Sequence, residues 1–429
     1  MNLQSNPPAE TVPADMPSDD QQALGQRPAA DRPSSDERRP IVVMIGESDA
    51  RIWGLTTEER LRRITKTLNV SAVLKDGEAR PATESIVLIR ADYAIEDRLV
   101  TALVNHEPGF VLVVEEDDGR STIAAAAHVD VADADAVAQL LRTPQVDRTK
   151  SDTLGLTPLS PIELGTDYNA RLRKREIPYV LEVGPQSIQV IENRIFAGSY
   201  KGITDFVTKY CWPLPARWVT RQAVRFGWTP NMVTGMSLML VFVTLWLFMQ
   251  GHFLTGLAVG WFMTFLDTVD GKLARVTLTS SPWGNVFDHG IDLIHPPFWY
   301  WAWWYGLHQT VPEAASLPYL DAALMVVIIG YVVGRLEEGV FIKAFGIQIH
   351  IWRPIDSFFR LITARRNPNL AILMVAALFG APGIGFLLVA VWTIFSLLFH
   401  AMRIIQAFIR KSDGGIRSHL TEPLEPTTA

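Results

Sequence analysis

The chain has 429 residues, of which 48% are hydrophobic and 20% charged, and its formal net charge is −6. No dominant basic face is available for binding nucleic acid, and the single cysteine, Cys211, excludes a disulfide framework and a zinc site built from several cysteines. The charge is unevenly spread, because residues 1–230 carry 33 acidic and 27 basic side chains whereas residues 231–429 carry 12 of each. The composition therefore predicts at least two domains of different character.

Both ends of the chain, residues 1–39 and 411–429, are predicted to be disordered tails. Their polar composition offers too little apolar surface to offset the entropy lost on ordering. The first forty residues also lack the apolar core of a secretory signal peptide, so we expect the domain that follows them to stay in the cytoplasm.

Residues 40–197 predict a soluble α/β domain. Apolar runs of strand length, rich in β-branched residues, begin near Ile41, Ile86 and Phe110. Residues 56–71 have helical apolar spacing and open on Thr-Thr-Glu-Glu, which is typical of a helix start. Because strands alternate with helices, a mainly parallel sheet covered by helices is favoured.

Residues 198–230 form a basic segment in which cations alternate with aromatic side chains such as Trp212 and Trp218. This pattern is typical of an amphipathic segment that lies on a membrane surface. A solvated helix packed on the α/β domain is the alternative interpretation.

Residues 231–410 predict a six-helix, all-α transmembrane domain. The apolar spans cover roughly 232–250, 253–274, 285–307, 319–341, 368–384 and 385–409, and the fifth is marginal. All twelve Lys and Arg side chains beyond residue 230 fall on one side in this topology. The chain is therefore predicted to be an integral protein of the inner, cytoplasmic membrane, with both termini in the cytoplasm.

Four carboxylates gathered in 26 positions are the most informative feature of this region. They are Asp267, Asp270, Asp288 and Asp292. The first two are three residues apart and the last two are four apart, so each pair shares one face of a helix. Two antiparallel helices could direct all four into one cavity, with Gly271 and Gly284 leaving room for a close approach.

Unpaired carboxylates at membrane depth are costly, and the single cation Arg275 cannot balance four of them. Two divalent ions, Mg²⁺ or Mn²⁺, are the natural complement because they prefer oxygen ligands and can clamp a pyrophosphate. The alternative is a set of helix-end carboxylates at the membrane interface that pair with nearby arginines.

The segment fits D-x2-D-G-x2-A-R-x8-G-x3-D-x3-D at every position, and in this it resembles the CDP-alcohol phosphotransferases. The resemblance implies a six-helix membrane enzyme, commonly a homodimer, that transfers a phosphoalcohol or phosphatidyl group from a CDP-linked donor to an alcohol acceptor and releases CMP. By this resemblance the metal ligands are Asp267, Asp270, Asp288 and, as ligand or general base, Asp292. The residues that line the cytidine diphosphate site are then Gly271, Ala274, Arg275 and Gly284.

His289 is a second candidate base, because an imidazole is better matched to neutral pH than a carboxylate. The string Asp288-His-Gly-Ile-Asp292 resembles the choline/ethanolamine phosphotransferase branch, and a structural hydrogen bond at the helix start is the other interpretation of His289. A phosphorylated acceptor would need cations, for which Arg335, Lys343 and Arg353 are candidates. Membrane anchoring is the alternative role for these three residues, and Glu337 and Glu338 either neutralise Arg335 or serve the acceptor site.

The layout of residues 40–197 also resembles the sugar nucleotidyltransferase fold, with Asp92 at the position of a metal-binding acid. The stretch 45–54 has two separated glycines and two acids where that family has a glycine-rich, basic phosphate loop. A degenerate regulatory or assembly domain is therefore favoured over an active nucleotidyltransferase. For the whole chain, the alternative to an enzyme of lipid biosynthesis is a catalytically inactive membrane scaffold or nucleotide-binding regulator.

Overall fold

The computed structural model describes residues 39–81, 83–115, 122–143, 154–312, 317–410 and 415–421. The predicted tail at 1–39 lies outside the described residues except for Arg39, and the second tail is described only at 415–421. Those seven residues are not detached, because Ser418 Oγ donates to the Ile351 carbonyl at 2.8 Å and the Leu420 carbonyl accepts from Arg175 Nε at 2.7 Å. This part of the predicted tail therefore packs on both halves of the protein.

The first half of the chain is an α/β unit. Its strands are β1 (Ile41–Ile45), β2 (Arg51–Ile52), β3 (Leu55–Thr56), β4 (Ala72–Lys75), β5 (Ser85–Arg90), β6 (Tyr93–Ile95), β7 (Phe110–Glu115), β8 (Thr122–Asp130), β9 (Thr157–Leu159), β10 (Tyr168–Asn169), β11 (Lys174–Arg175) and β12 (Val180–Glu182). Its helices are α1 (Thr57–Thr65), α2 (Asp97–Asn105), α3 (Ala134–Leu141), α4 (Pro161–Gly165) and α5 (Ile188–Gly198).

Six strands form one mixed sheet in the order β4-β1-β5-β8-β7-β9. The pairs β1–β4, β1–β5 and β7–β9 are parallel, but β8 runs antiparallel to both of its neighbours. The expectation of a mainly parallel sheet therefore fails at β8, whose central run of four alanines does not mark it as a strand in the sequence.

Local sequence accounts for the position of α1. Thr56 Oγ1 accepts from the Glu59 amide at 3.1 Å, and the Glu59 carboxylate accepts from the Thr56 amide at 2.8 Å. This capping box satisfies two backbone donors at once and fixes the helix start where the sequence predicted it. Leu61 and Ile64 then bury one face of the helix against the sheet.

The second half of the described chain is helical. A π-helical turn at Val207–Cys211 precedes α6 (Pro213–Arg225), α7 (Pro230–Met249), α8 (Phe253–Val276), α9 (Pro282–Thr310), α10 (Leu320–Phe345), the 3-10 turn Ile349–Ile351, α11 (Pro354–Phe359), α12 (Arg366–Leu378) and α13 (Pro382–Arg410).

Two of these helices, α7 and α13, have the length and apolar composition needed to cross a bilayer. Six crossings therefore stay a prediction. Helix α12 has 13 residues, fewer than the roughly 20 that a straight span needs. It ends at Leu378 rather than near residue 384, because Gly380 takes a positive φ of 71° and Pro382 starts α13.

Large apolar side chains face outward on several of the long helices. On α10, Met325 and Ile329 are exposed, and on α13 Val391 and Leu398 are exposed. Soluble proteins seldom leave such continuous apolar surface in water, so these faces suit contact with lipid. Trp218 on α6, in the segment predicted to lie on the membrane surface, is exposed as well.

Candidate functional site

The four motif carboxylates lie on α8 and α9, as the spacing predicts. One oxygen from each of Asp267, Asp288 and Asp292 lies within 4.8 Å of the others. Asp270 is 3% exposed, and its Oδ2 accepts from Thr234 Oγ1 on α7 at 2.6 Å. Asp270 is not one of the three clustered carboxylates and is absent from the described lining of the adjacent cavity, so its role as a metal ligand stays a prediction.

The second oxygen of Asp270, Oδ1, is buried and has no hydrogen-bond partner among the described residues. An orphaned buried carboxylate oxygen is costly, and the cost is removed if a cation binds there. The three clustered carboxylates, Asp267, Asp288 and Asp292, form an all-oxygen donor set of the kind that suits Mg²⁺ or Mn²⁺. The residues present therefore fit divalent ions.

Arg366, at the start of α12, reaches into this cluster. Its Nη2 donates to Asp267 Oδ2 at 2.6 Å, and its Nη1 donates to Asp292. A guanidinium that bridges two carboxylates offsets part of their negative charge when no metal ion is bound. In the sequence Arg366 is one of the twelve cations predicted to lie on the cytoplasmic side, and no local signal separates it from its neighbour Arg365.

The cluster faces a cavity of about 510 Å³ that is lined by eight basic and five acidic side chains. The basic residues are Arg173, Lys201, Lys272, Arg275, Arg335, Arg360, Arg365 and Arg366. The acidic residues are Asp205, Asp267, Asp288, Asp292 and Glu338. Because cations outnumber carboxylates and stand close together, the cavity favours an anionic ligand.

The predicted cytidine diphosphate residues divide into two groups. Gly271 and Arg275 line the cavity, whereas Ala274 and Gly284 do not appear among its described lining residues. The Gly284 amide donates to Ser281 Oγ at 3.0 Å, and a Cβ at this position would lie 3.2 Å from Asn231 Oδ1. Gly284 thus serves the close packing at the start of α9, and its role in nucleotide binding stays a prediction.

His289 lies at the cavity mouth with 71% of its side chain exposed. Its Nδ1 is 2.9 Å from the Asn285 carbonyl, one turn back in α9. A carbonyl only accepts, so this contact places a proton on Nδ1 and the lone pair on Nε2. The structural hydrogen bond and the role as a base are therefore compatible in His289.

Of the residues predicted to bind the acceptor, some line the cavity and others do not. Arg335 and Glu338 line the cavity and pair with each other at 3.4 Å, and Glu338 accepts from Arg365 as well. Within the described chain, Lys343 and Arg353 are not part of the lining. The Arg353 guanidinium stacks over the Trp352 ring at 4.7 Å.

Two cavity residues, Arg173 and Lys201, precede the helical domain and lie outside the carboxylate motif. Arg173, in the turn between β10 and β11, holds a positive φ of 51°, and Lys201 follows α5. Burial, with Arg275 and Arg173 nearby, lowers the pKa of Lys201 to about 8. The sequence pattern predicts for Lys201 only a place in the basic segment at residues 198–230.

In the α/β unit, Asp92 forms an ion pair with Arg90, two residues before it in the sequence. Arg90 donates from Nε to Asp92 Oδ1 at 2.9 Å and from Nη2 to Oδ2 at 2.6 Å. A carboxylate held by a bidentate arginine on both oxygens is poorly placed to bind a metal ion. The degenerate regulatory or assembly role of the α/β unit stays a prediction.

Comparison with known proteins places the site in a family. Residues 228–364 match the family model for CDP-alcohol phosphatidyltransferase. No curated protein sequence matches the chain significantly. Among solved structures, the phosphatidylinositol phosphate synthase of Mycobacterium tuberculosis with CDP-DAG bound is 20% identical, with a TM-score of 0.35 over 43% of this chain and 91% of its own.

The complex of that synthase with manganese and citrate is also 20% identical, with a TM-score of 0.34 over 44% of this chain and 87% of its own. These TM-scores are too low for the likeness to indicate a function. The family match contains every position of the carboxylate motif and confirms the resemblance seen in it. Residues 228–364 are therefore a domain of the CDP-alcohol phosphatidyltransferase family.

Proposed function

We propose that the protein is an integral-membrane phosphotransferase of phospholipid or related lipid biosynthesis. It transfers a phosphoalcohol or phosphatidyl group from a CDP-linked donor to a hydroxyl acceptor and releases CMP. The observation that carries the proposal is the carboxylate cluster of Asp267, Asp288 and Asp292 at the wall of a cation-lined cavity. A metal-competent acidic cluster beside an anion-binding cavity suits chemistry at a pyrophosphate.

The reaction is a displacement at phosphorus. The acceptor hydroxyl oxygen attacks the donor phosphorus that carries the transferred alcohol, and the bond from that phosphorus to the bridging oxygen breaks. CMP leaves with the bonding electron pair. Two divalent ions held by Asp267, Asp270, Asp288 and Asp292 would neutralise the charge that develops on the phosphates.

The other residues of the cavity bind and orient the substrates. Arg275 and Lys201 lie on the side of Asp288, where they can bind the donor phosphates. Arg335 and Glu338 lie together at the α10 wall, which favours a role beside the acceptor. The proton of the attacking hydroxyl passes to Asp292 or to Nε2 of His289.

Substitution of the two candidate bases distinguishes between them. If Asp292 takes the proton, Asp292→Ala abolishes turnover while His289→Ala keeps near-normal turnover, because the exposed imidazole then has no essential contact. If His289 takes the proton, its loss is expected to lower kcat by a factor of about 10²–10⁴. The measurement is the rate of CMP release at saturating Mn²⁺ and donor.

The pH dependence of binding is expected to follow Lys201. Its pKa of about 8 means that the ammonium is charged below pH 8 and loses its charge as the pH rises through that value. The ratio kcat/KM for the donor should therefore fall by about 10- to 100-fold on the alkaline side. In Lys201→Arg the decrease of kcat/KM should occur at higher pH. In Lys201→Met kcat/KM should be low at every pH and should show no such decrease. An alkaline limb that is unchanged in Lys201→Met would exclude this role.

A screen for CMP release tests the function directly. The purified full chain is given Mn²⁺ or Mg²⁺ with CDP-diacylglycerol or CDP-linked head groups, each with alcohol acceptors, and lipid products are identified by mass spectrometry. We expect CMP release that depends on the metal and on one donor–acceptor pair. Absence of CMP with every donor would favour the alternative, a catalytically inactive membrane scaffold or nucleotide-binding regulator.

A further inference from the structure

The α/β unit contacts the end of the helix that carries the first half of the carboxylate motif. Arg60 of α1 is 7% exposed, and its Nη1 donates to the Val276 carbonyl at 3.0 Å. One turn further along α1, Arg63 Nη1 donates to the Thr277 carbonyl at 2.6 Å. Val276 is the last residue of α8, and Thr277 is its C-cap.

The remaining carbonyls at this helix end accept hydrogen bonds from backbone amides of the following residues. The Thr277 amide donates to Leu273 at 3.0 Å, the Leu278 amide to Arg275 at 3.3 Å and the Thr279 amide to Ala274 at 2.9 Å. The last two bonds are those of a Schellman motif, in which the residue after the C-cap takes a left-handed conformation. Together with the two arginines they satisfy every carbonyl from Leu273 to Thr277.

The left-handed position is held by a leucine rather than by the usual glycine. Leu278 has a φ of 54°, which a branched side chain adopts reluctantly. Its side chain packs against the core of the α/β unit, in the cluster that includes Leu61 and Ile64. An unfavourable backbone conformation persists where the surroundings stabilise it, and here the stabilising surroundings belong to the α/β unit.

The capped segment joins the two helices that hold the carboxylates. Five residues, 277–281, separate the end of α8 from the start of α9, and Ser281 is the N-cap of α9. Asp270 lies less than two turns before the cap, and Asp288 less than two turns after the start of α9. Fixing this connection therefore fixes where Asp270 stands relative to Asp288.

We propose that the α/β unit is a positioning element of the metal site: Arg60 and Arg63 cap the carboxylate-bearing helix α8, and Leu278 anchors its connection to α9 in the α/β core. The inference rests on the proposed function for the identity of the site, but the contacts themselves do not depend on the reaction. The guanidinium groups suit this place because the C-terminal end of a helix carries partial negative charge. The α/β unit then acts without any catalysis of its own.

The decisive variant is Arg60→Ala/Arg63→Ala in the full chain. Its matched control is Arg62→Ala/Lys66→Ala, which removes one exposed cation of α1 and one at its C-cap. Among the contacts described, Arg62 pairs only with Glu58. We expect faster hydrogen–deuterium exchange in residues 272–281 of the first variant and no change in the control. The dissociation constant for Mn²⁺, measured by electron paramagnetic resonance, should rise about tenfold, as is usual when groups that orient metal ligands are removed.

A role in positioning also predicts how activity changes. The Mn²⁺ concentration for half-maximal CMP release should rise, while kcat at saturating Mn²⁺ stays near that of the wild type. Arg60→Lys/Arg63→Lys, which keeps both charges, should recover part of the loss. A second variant, Leu278→Gly, relieves the backbone strain but removes the anchor, and it should weaken Mn²⁺ binding without unfolding the chain.

Two results would overturn the inference. In the first, the Arg60→Ala/Arg63→Ala variant shows the same hydrogen–deuterium exchange in residues 272–281 and the same Mn²⁺ affinity as the control. In the second, its exchange is faster but its Mn²⁺ affinity is unchanged. Failure of the proposed function looks different, because the wild type would then release no CMP from any donor. The exchange and Mn²⁺-binding measurements would still decide the role of Arg60 and Arg63.

Discussion

Replacing Asp288 by asparagine is expected to lower CMP release by a factor of about 10³ or more, because loss of a shared ligand removes several kcal/mol of transition-state stabilisation. Asp288 is one of the three carboxylates whose oxygens lie within 4.8 Å of one another. The amide keeps the shape of the side chain but not its charge, so Mn²⁺ should bind far more weakly. The measurements are Mn²⁺ binding by electron paramagnetic resonance and CMP release across Mn²⁺ concentrations.

Asp321→Asn is the control for this change. Asp321 lies at the start of α10 and accepts from Trp304 Nε1 at 2.8 Å, away from the described cavity lining. It should leave both Mn²⁺ affinity and turnover unaltered. Full Mn²⁺ affinity and turnover in Asp288→Asn would exclude the carboxylate cluster as the metal site.

Arg366→Gln is expected to have opposite effects on stability and on metal binding. The Arg366 guanidinium bridges Asp267 and Asp292, so its removal leaves two carboxylates without a counter-charge. The metal-free protein should lose about 2 kcal/mol, below the 3–5 kcal/mol of a fully buried pair because the Asp292 side chain is 41% exposed. The affinity for Mn²⁺ should rise, since the guanidinium no longer competes for the same oxygens.

The measurement is thermal unfolding in detergent with and without Mn²⁺. Arg365→Gln is the matched control, because Arg365 is the adjacent residue and pairs with Glu338 rather than with a motif carboxylate. Mn²⁺ should restore the stability of Arg366→Gln and should not restore that of Arg365→Gln. Equal recovery in both variants, or none in either, would contradict the role assigned to Arg366.

The two substitutions together separate ligand from counter-ion. Asp288→Asn should weaken Mn²⁺ binding, whereas Arg366→Gln should strengthen it, although both remove one charge from the same site. A general loss of structure cannot produce opposite changes in affinity. The pair therefore tests the electrostatic organisation of the cavity rather than the fold.

Local sequence patterns were sufficient to predict several helices and strands. The β-branched runs marked β1, β5 and β7, and the Thr-Thr-Glu-Glu start marked α1 through its capping box. These signals work because the causes are local: side-chain shape on a pleated strand and a hydrogen bond over three residues. The sequence does not predict strand β8, because a run of four alanines is also typical of a helix.

Local sequence patterns do not predict which of the cations pairs with which carboxylate. Arg365 and Arg366 are adjacent and chemically identical, yet one pairs with Glu338 and the other bridges carboxylates 74 and 99 residues away. Lys201 and Arg173 enter the cavity from outside the helical domain. No periodicity or motif records such contacts, because they depend on how whole elements pack.

The sequence by itself determined that Asp267 and Asp270 share one helix face and that Asp288 and Asp292 share another, because residues three or four apart on a helix lie on the same side of it. It also determined that the polar and apolar halves differ, since composition decides which surfaces can be buried in water or lipid. Only the tertiary structure decided that Arg366 bridges Asp267 and Asp292, that Lys201 lines the cavity and that α1 caps α8. Each of these contacts joins residues far apart in the chain, and the packing of the helices and the sheet alone brings them within hydrogen-bonding distance.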